Sequence, residues 1–165
     1  MIVLDPCCGG RAMWHNKHRS GVVYGDCRSE TLAVTDRSQR NPSGLRVLRI
    51  EPDVVLDFRD LPFADETFVH VVFDPPHLIN AGARSWLAAK YGRLGADWRA
   101  DLKQGFAECW RVLAPGGTLV FKWAEIQIKL HEVLCLAPRE PHYGHRSGRK
   151  GLTHWQVFIK DEGLS

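Results

Sequence analysis

Phe68-Val69-His70-Val71-Val72-Phe73-Asp74-Pro75-Pro76-His77 is the stretch on which the fold turns. Its first six residues are apolar, β-branched or aromatic with one histidine, the pattern of a buried strand. The run stops at Asp74 and two prolines follow. Each proline sets φ and removes a backbone donor, so neither a ladder nor a helix can continue there. A carboxylate is thereby held rigidly at a strand end, beside carbonyls that remain open as acceptors. Such a pair can take both hydrogens of an NH₂ group.

The same arrangement recurs along the chain. Ile2 to Leu4 reads as a strand ending at Asp5, and Gly21 to Tyr24 as one running out to Gly25-Asp26. Val54 to Leu56 ends at Asp57, and Thr118 to Trp123 forms a further strand. Between them lie helical spacings. Trp98, Leu102, Phe106, Trp110 and Leu113 recur at steps of three and four within residues 86–113, and Pro115-Gly116-Gly117 closes that helix. Ala12 to Lys17 predicts a short helix, and Glu125 to Leu136 another. Thr31 to Val34 and Leu45 to Ile50 flank a polar turn, which predicts a hairpin insertion at about 30–50. Pro141 to His145 and Leu152 to Lys160 predict a closing hairpin around a Gly/Arg/Lys turn. Strands alternating with helices imply an α/β protein with a mostly parallel sheet and helices on both faces. In such sheets ligands bind at the carboxyl ends of the strands. Asp5, Asp26, Asp57 and Asp74 would share that rim.

At 165 residues the chain fits one domain, spanning 1–165, with no room for a separate target-recognition domain. The hydrophobic share of 44% and charged share of 25% exclude a disordered chain. The net charge of +3 is too weak to signal nucleic acid by itself. Its distribution says more: Arg139, Arg146, Arg149 and Lys150 cluster near the closing hairpin, and a second basic stretch runs from Arg37 to Arg49. The five cysteines form no pair of C-x-x-C units, so no metal is expected. Free thiols, a start without a signal peptide and short apolar runs predict a cytoplasmic protein away from membranes.

Asp5-Pro6-Cys7-Cys8-Gly9-Gly10 is a strand exit into a small-residue turn, which lets a ligand approach the backbone. The carboxylate disfavours a phosphate and suits an ammonium group or a ribose. Neither a G-x-G-x-x-G nor a P-loop pattern occurs, which argues against a nicotinamide or triphosphate site.

Asp74-Pro75-Pro76-His77 resembles the D/N-P-P-Y/F/W motif of S-adenosylmethionine-dependent DNA and RNA amino-methyltransferases, with His77 in place of the stacking aromatic. Asp5-Pro6-Cys7-Cys8-Gly9-Gly10 is similar to their cofactor motif, with Arg11 where a second glycine would fall. Leu61-Pro62-Phe63-Ala64-Asp65 and Arg111-Val112-Leu113-Ala114-Pro115-Gly116-Gly117 resemble two further stretches of class I methyltransferases. The whole also looks like small, phage-like forms. The resemblance implies a Rossmann-like, mostly parallel seven-stranded sheet with an antiparallel last strand. It implies S-adenosyl-L-methionine as cofactor. Asp5, Pro6, Cys7 and Gly9 would meet its methionine part, Asp26 its ribose, and Asp57 with Phe58 its adenine. Asp74, Pro75, Pro76 and His77 would hold the acceptor nitrogen, an exocyclic amine of a nucleobase in DNA or RNA.

The closing hairpin would add substrate contacts through Arg146, Arg149 and Lys150, and Trp123 at its strand end would face the same rim. Two other functions fit the same motifs: a small-molecule or protein N-methyltransferase, and a non-catalytic cofactor-binding subunit. A partner subunit for target recognition is compatible with each, and the sequence leaves the oligomeric state open.

Overall fold

The computed structural model of the protein describes residues 2–35, 43–82, 86–148 and 150–161. Nine strands and three helices follow one another as β1 (Val3–Asp5), β2 (Val22–Asp26), β3 (Glu30–Thr35), β4 (Leu45–Ile50), β5 (Val54–Val55), β6 (Phe68–Phe73), α1 (Trp86–Tyr91), α2 (Trp98–Val112), β7 (Leu113–Ala124), α3 (Leu130–Leu134), β8 (Tyr143–Ser147) and β9 (Thr153–Ile159) among the described residues. Seven strands form one sheet in the order β5-β2-β1-β6-β7-β9-β8. The first five run parallel, and β9 is antiparallel to β7 and β8. β3 and β4 pair antiparallel as a separate ribbon.

The core lies where α2 packs on β6 and β7. Trp98, Leu102, Phe106, Cys109 and Val112 are buried at helical spacing. Phe106 meets Phe73 edge-on at 5.3 Å between ring centres and lies 4.8 Å from Phe121. Burying each such ring contributes about 1.5–3 kcal/mol. Gly105 matters here, because a Cβ at that position would stand 2.5 Å from the Phe58 ring. A second join ties two distant sequence stretches together. Arg111 donates to the carbonyls of Leu61 (3.0 Å) and Phe63 (2.8 Å), while Leu61 N donates to Glu108 Oε2 (2.8 Å). Arg111 also pairs with Glu108 and holds that carboxyl below its ordinary range. The Leu61-Pro62-Phe63 turn is thus pinned to the end of α2, which explains why the two stretches occur together.

Several elements differ from the sequence reading. Residues 12–17 form turns instead of a helix. Arg11 has φ 53°, and its guanidinium binds the carbonyls of Lys17 and Glu51, wrapping the chain around itself. The long helix of residues 86–113 is two helices, interrupted where Gly92 takes φ 75° and Leu94 N turns to the Leu78 carbonyl. α2 stops before Pro115: Leu113 is already extended, paired with Phe68, and a register shift follows before His70 pairs with Thr118. The helix expected from Glu125 shrinks to Leu130–Leu134, because Glu125 accepts from Leu130 N and Lys129 Nζ and turns residues 125–129 into a capping loop.

Candidate active site

The sheet order creates the site. From β1 the chain moves outward to β2 and β5, then returns to β6 on the other side of β1. The loops leaving β1 and β6 therefore diverge, and a crevice opens between them. A cavity of about 670 Å³ lies there, with Cys7, Gly9 and Asp26 on one wall and Asp74, Pro76 and Lys122 on the other. α1 and the β3–β4 ribbon close over it through Trp86, Tyr91, Val47 and Leu48.

On the first wall, the turn after β1 is tied to β2. Cys8 N donates to the Gly25 carbonyl (2.8 Å) and Gly9 N to Asp26 Oδ2 (2.9 Å). Gly9 takes φ 49°, and a Cβ there would lie 3.5 Å from the Lys90 carbonyl. Pro6, Cys7, Gly9, Asp26 and Phe58 all line the cavity. Asp26 is already engaged, since its Oδ1 accepts from Arg28 N (3.0 Å) and Nε (3.1 Å). Burial raises the Cys8 thiol to about 12, so it stays protonated at neutral pH.

Asp5 and Asp57 depart from their expected roles. Asp5 is fully buried and absent from the cavity lining; it accepts from Trp14 Nε1 (2.7 Å) and Cys7 N (3.3 Å). Burial lifts its carboxyl to about 7, partly offset by the Trp14 hydrogen bond. Asp5 therefore shapes the turn instead of facing a ligand. Asp57 also lies off the lining. Arg59 Nε reaches both its oxygens at 3.0 Å, and the Arg59 hydrogen bond holds it below its ordinary range.

The second wall holds Asp74. Lys122 Nζ donates to its Oδ2, whereas Oδ1 accepts from no described residue. Burial raises the Asp74 carboxyl, opposed by the nearby Lys122 and Lys90 cations. Pro75 is buried and Pro76 lines the cavity. His77 is only 3% exposed, packed between Tyr91 at 4.9 Å and Trp123 at 6.2 Å. Desolvation drops its pKa to about 4, so the ring is a neutral core group at pH 7. It cannot stack on a bound base in this position.

Trp123 is likewise a correction. Its side chain is 0% exposed, and its indole N–H donates to the Ile128 carbonyl (3.1 Å). The even positions of β7 are the ones that turn away from this core, and Lys122 is one of them. Arg146 and Lys150 are exposed near the same rim, because β9 runs antiparallel and sets Thr153 against Ala124. Neither lines the cavity. Arg149 lies outside the described residues.

Lys122 and Tyr91 escaped the sequence reading, whereas Trp155 was legible as one of the aromatics flanking the basic turn of the closing hairpin. One signal was present: Lys122 is the lone charge inside the apolar run of residues 118–123. Among the described residues, no three His, Cys, Asp or Glu side chains converge as a metal-binding group. No described helix is long and apolar enough to cross a membrane.

The mixed seven-stranded sheet, its switch point and its single antiparallel strand define a Rossmann-like α/β protein with the class I methyltransferase fold. Solved structures share it. The PH0226 protein from Pyrococcus horikoshii OT3 superposes with a TM-score of 0.58 at 16% identity, covering 96% of this chain and 81% of that one. A chain of the Haloferax volcanii complex between the Trm112 methyltransferase activator and a candidate methyltransferase gives 0.50 at 15% identity, covering 98% and 83%. No family model and no curated protein matches the sequence.

Proposed function

We propose that the protein is an S-adenosylmethionine-dependent methyltransferase whose acceptor is an exocyclic amino group of a nucleobase in DNA or RNA. One observation carries this reading: a bare glycine turn and a proline-fixed carboxylate face each other across a single cavity at the switch point. The residues fit the cofactor. The volume of about 670 Å³ lies in the range of small-molecule sites. Gly9 and Gly10 expose backbone, and Phe58 gives an apolar wall. Pro6, Cys7, Gly9, Asp26 and Phe58 are the residues that would hold it. When bound, it supplies a methyl group already activated by a sulfonium.

The chain's own contribution is placement. Asp74 Oδ1 accepts a hydrogen bond from the acceptor amine and turns its lone pair toward the cofactor wall. Holding two groups in line contributes about 7–11 kcal/mol. Pro75 and Pro76 keep the carboxylate from swinging away. The class I fold in the Haloferax volcanii complex supports the methyltransferase assignment.

The test supplies labelled cofactor to DNA, RNA and small-molecule pools. Label in a nucleic acid pool is the expected result; label only in small molecules sinks the nucleobase reading. A small-molecule acceptor is the second reading, favoured by the position of Arg146 and Lys150 outside the cavity.

A further inference from the structure

The register of the sheet puts three side chains beside the Asp74 carboxylate that no motif predicts. Phe73 pairs with Phe121, so the next residues along, Asp74 and Lys122, come together at the ends of β6 and β7. Lys122 pairs in turn with Trp155 across β7 and β9. The Lys122 ammonium lies 5.7 Å from the Trp155 ring centre and 6.0 Å from that of Tyr91. Tyr91 is delivered by the end of α1. All four side chains line the cavity.

We infer that Asp74, Lys122, Tyr91 and Trp155 form an acceptor slot for a planar heterocycle whose amino group sits next to an unprotonated ring nitrogen. This rests on the methyltransferase reading above. A carboxylate only accepts hydrogen bonds and an ammonium only donates. Side by side they present an acceptor and a donor to the same ligand edge. The complementary edge has a donor beside an acceptor. Adenine offers this with its N6 amine and N1, cytosine with its N4 amine and N3. Lysine or arginine side chains and simple alkyl amines lack the second group. Tyr91 and Trp155 supply the aromatic faces for stacking, a contact worth roughly 1–3 kcal/mol per base. They take this role because His77, the position expected to stack, is buried against Tyr91 and Trp123. The Oδ1 of Asp74, which accepts from no described residue, receives the amine while Lys122 turns one of its three N–H groups to the ring nitrogen.

The experiment compares methyl transfer to single-stranded oligodeoxynucleotides in which every cytosine is cytosine or 3-deazacytosine, and every adenine is adenine or 1-deazaadenine. The deaza bases keep the amine and the stacking face but lose the ring nitrogen. The wild-type protein should lose at least about 10-fold in kcat/KM on the deaza acceptor, since a site built for a polar partner rejects its absence. In Lys122→Met that penalty should vanish, and activity on the natural base should fall to the deaza level. Lys122→Arg, which keeps a donor, should retain the penalty. Cofactor binding by calorimetry should stay within a few-fold in both variants. An unchanged penalty in Lys122→Met, or no penalty in the wild type, overturns the slot while leaving the nucleobase reading standing. If the wild type binds cofactor but labels no natural oligonucleotide, DNA or RNA, the nucleobase reading falls and the slot with it.

Discussion

The two walls of the cavity are built by opposite means. On the β1 side, the carboxylates are used up internally: Asp5 by Trp14 and Cys7, Asp26 by Gly9 and Arg28. That wall is a rigid turn whose charges are already satisfied. On the β6 side, one Asp74 oxygen accepts from no described residue, and its partner Lys122 lies near the Tyr91 and Trp155 rings. A wall with its polar groups satisfied can present backbone and shape, whereas a wall with an open carboxylate can hold an acceptor amine. Under the proposed function, the first wall would place the cofactor and the second would choose the acceptor.

The division of labour between the two walls is most sensitive to Asp74. Asp74→Asn replaces the second acceptor oxygen with an NH₂ that repels an amine. Methyl transfer should fall by about 10²–10³-fold, the loss typical of one preorganised polar contact to a reacting group. Cofactor affinity should remain within a few-fold by calorimetry. Loss of cofactor binding instead would show that the walls do not divide their tasks.

Asp5→Asn probes the other wall through stability. The Asp5 pKa is raised from 3.8 to about 7 by burial, so the folded protein binds the proton more tightly than the unfolded chain. This group's contribution is fully present below about pH 4 and is lost as pH rises towards 7. His77 has the opposite sign. Its pKa falls from 6.5 to about 4, so its contribution grows with pH across that window and masks the Asp5 slope in the wild type. The difference between wild type and Asp5→Asn isolates the effect. Urea denaturation should show the variant gaining on the wild type by a few kcal/mol between pH 4 and 7, then levelling off. A pH-independent difference would mean that Asp5 does not titrate in this range.

A smaller effect is expected at Gly9. Alanine at φ 49° costs about 1 kcal/mol, and its Cβ meets the Lys90 carbonyl at 3.5 Å without a clash. Cofactor affinity should weaken a few-fold with kcat nearly unchanged. The smallest effect belongs to the exposed hairpin. Arg146→Ala with Lys150→Ala should leave cofactor binding untouched and reduce the salt dependence of nucleic acid binding by about one unit per lost phosphate contact. An unchanged salt slope would remove the hairpin from the substrate path.

The sequence alone determined what is local. Apolar runs gave the strands of the sheet, and the spacing of Trp98, Leu102 and Phe106 gave the face of α2, because side-chain periodicity along one segment needs no knowledge of its neighbours. Asp74-Pro75-Pro76 and the turn at Gly9 were readable for the same reason. Which carboxylate faces the cavity was decided by tertiary structure. Asp5 and Asp57 stand at strand ends as Asp74 does, yet Trp14 and Arg59 capture them. His77 and Trp123 carry the right chemistry for the rim, but packing against one another leaves both in the core. Lys122 reaches Asp74 only through the pairing of β6 with β7, and Trp155 reaches Lys122 only through the pairing of β7 with β9. Register between strands far apart in the chain is set by the whole sheet, and a shift of one residue would have sent Lys122 to the opposite face.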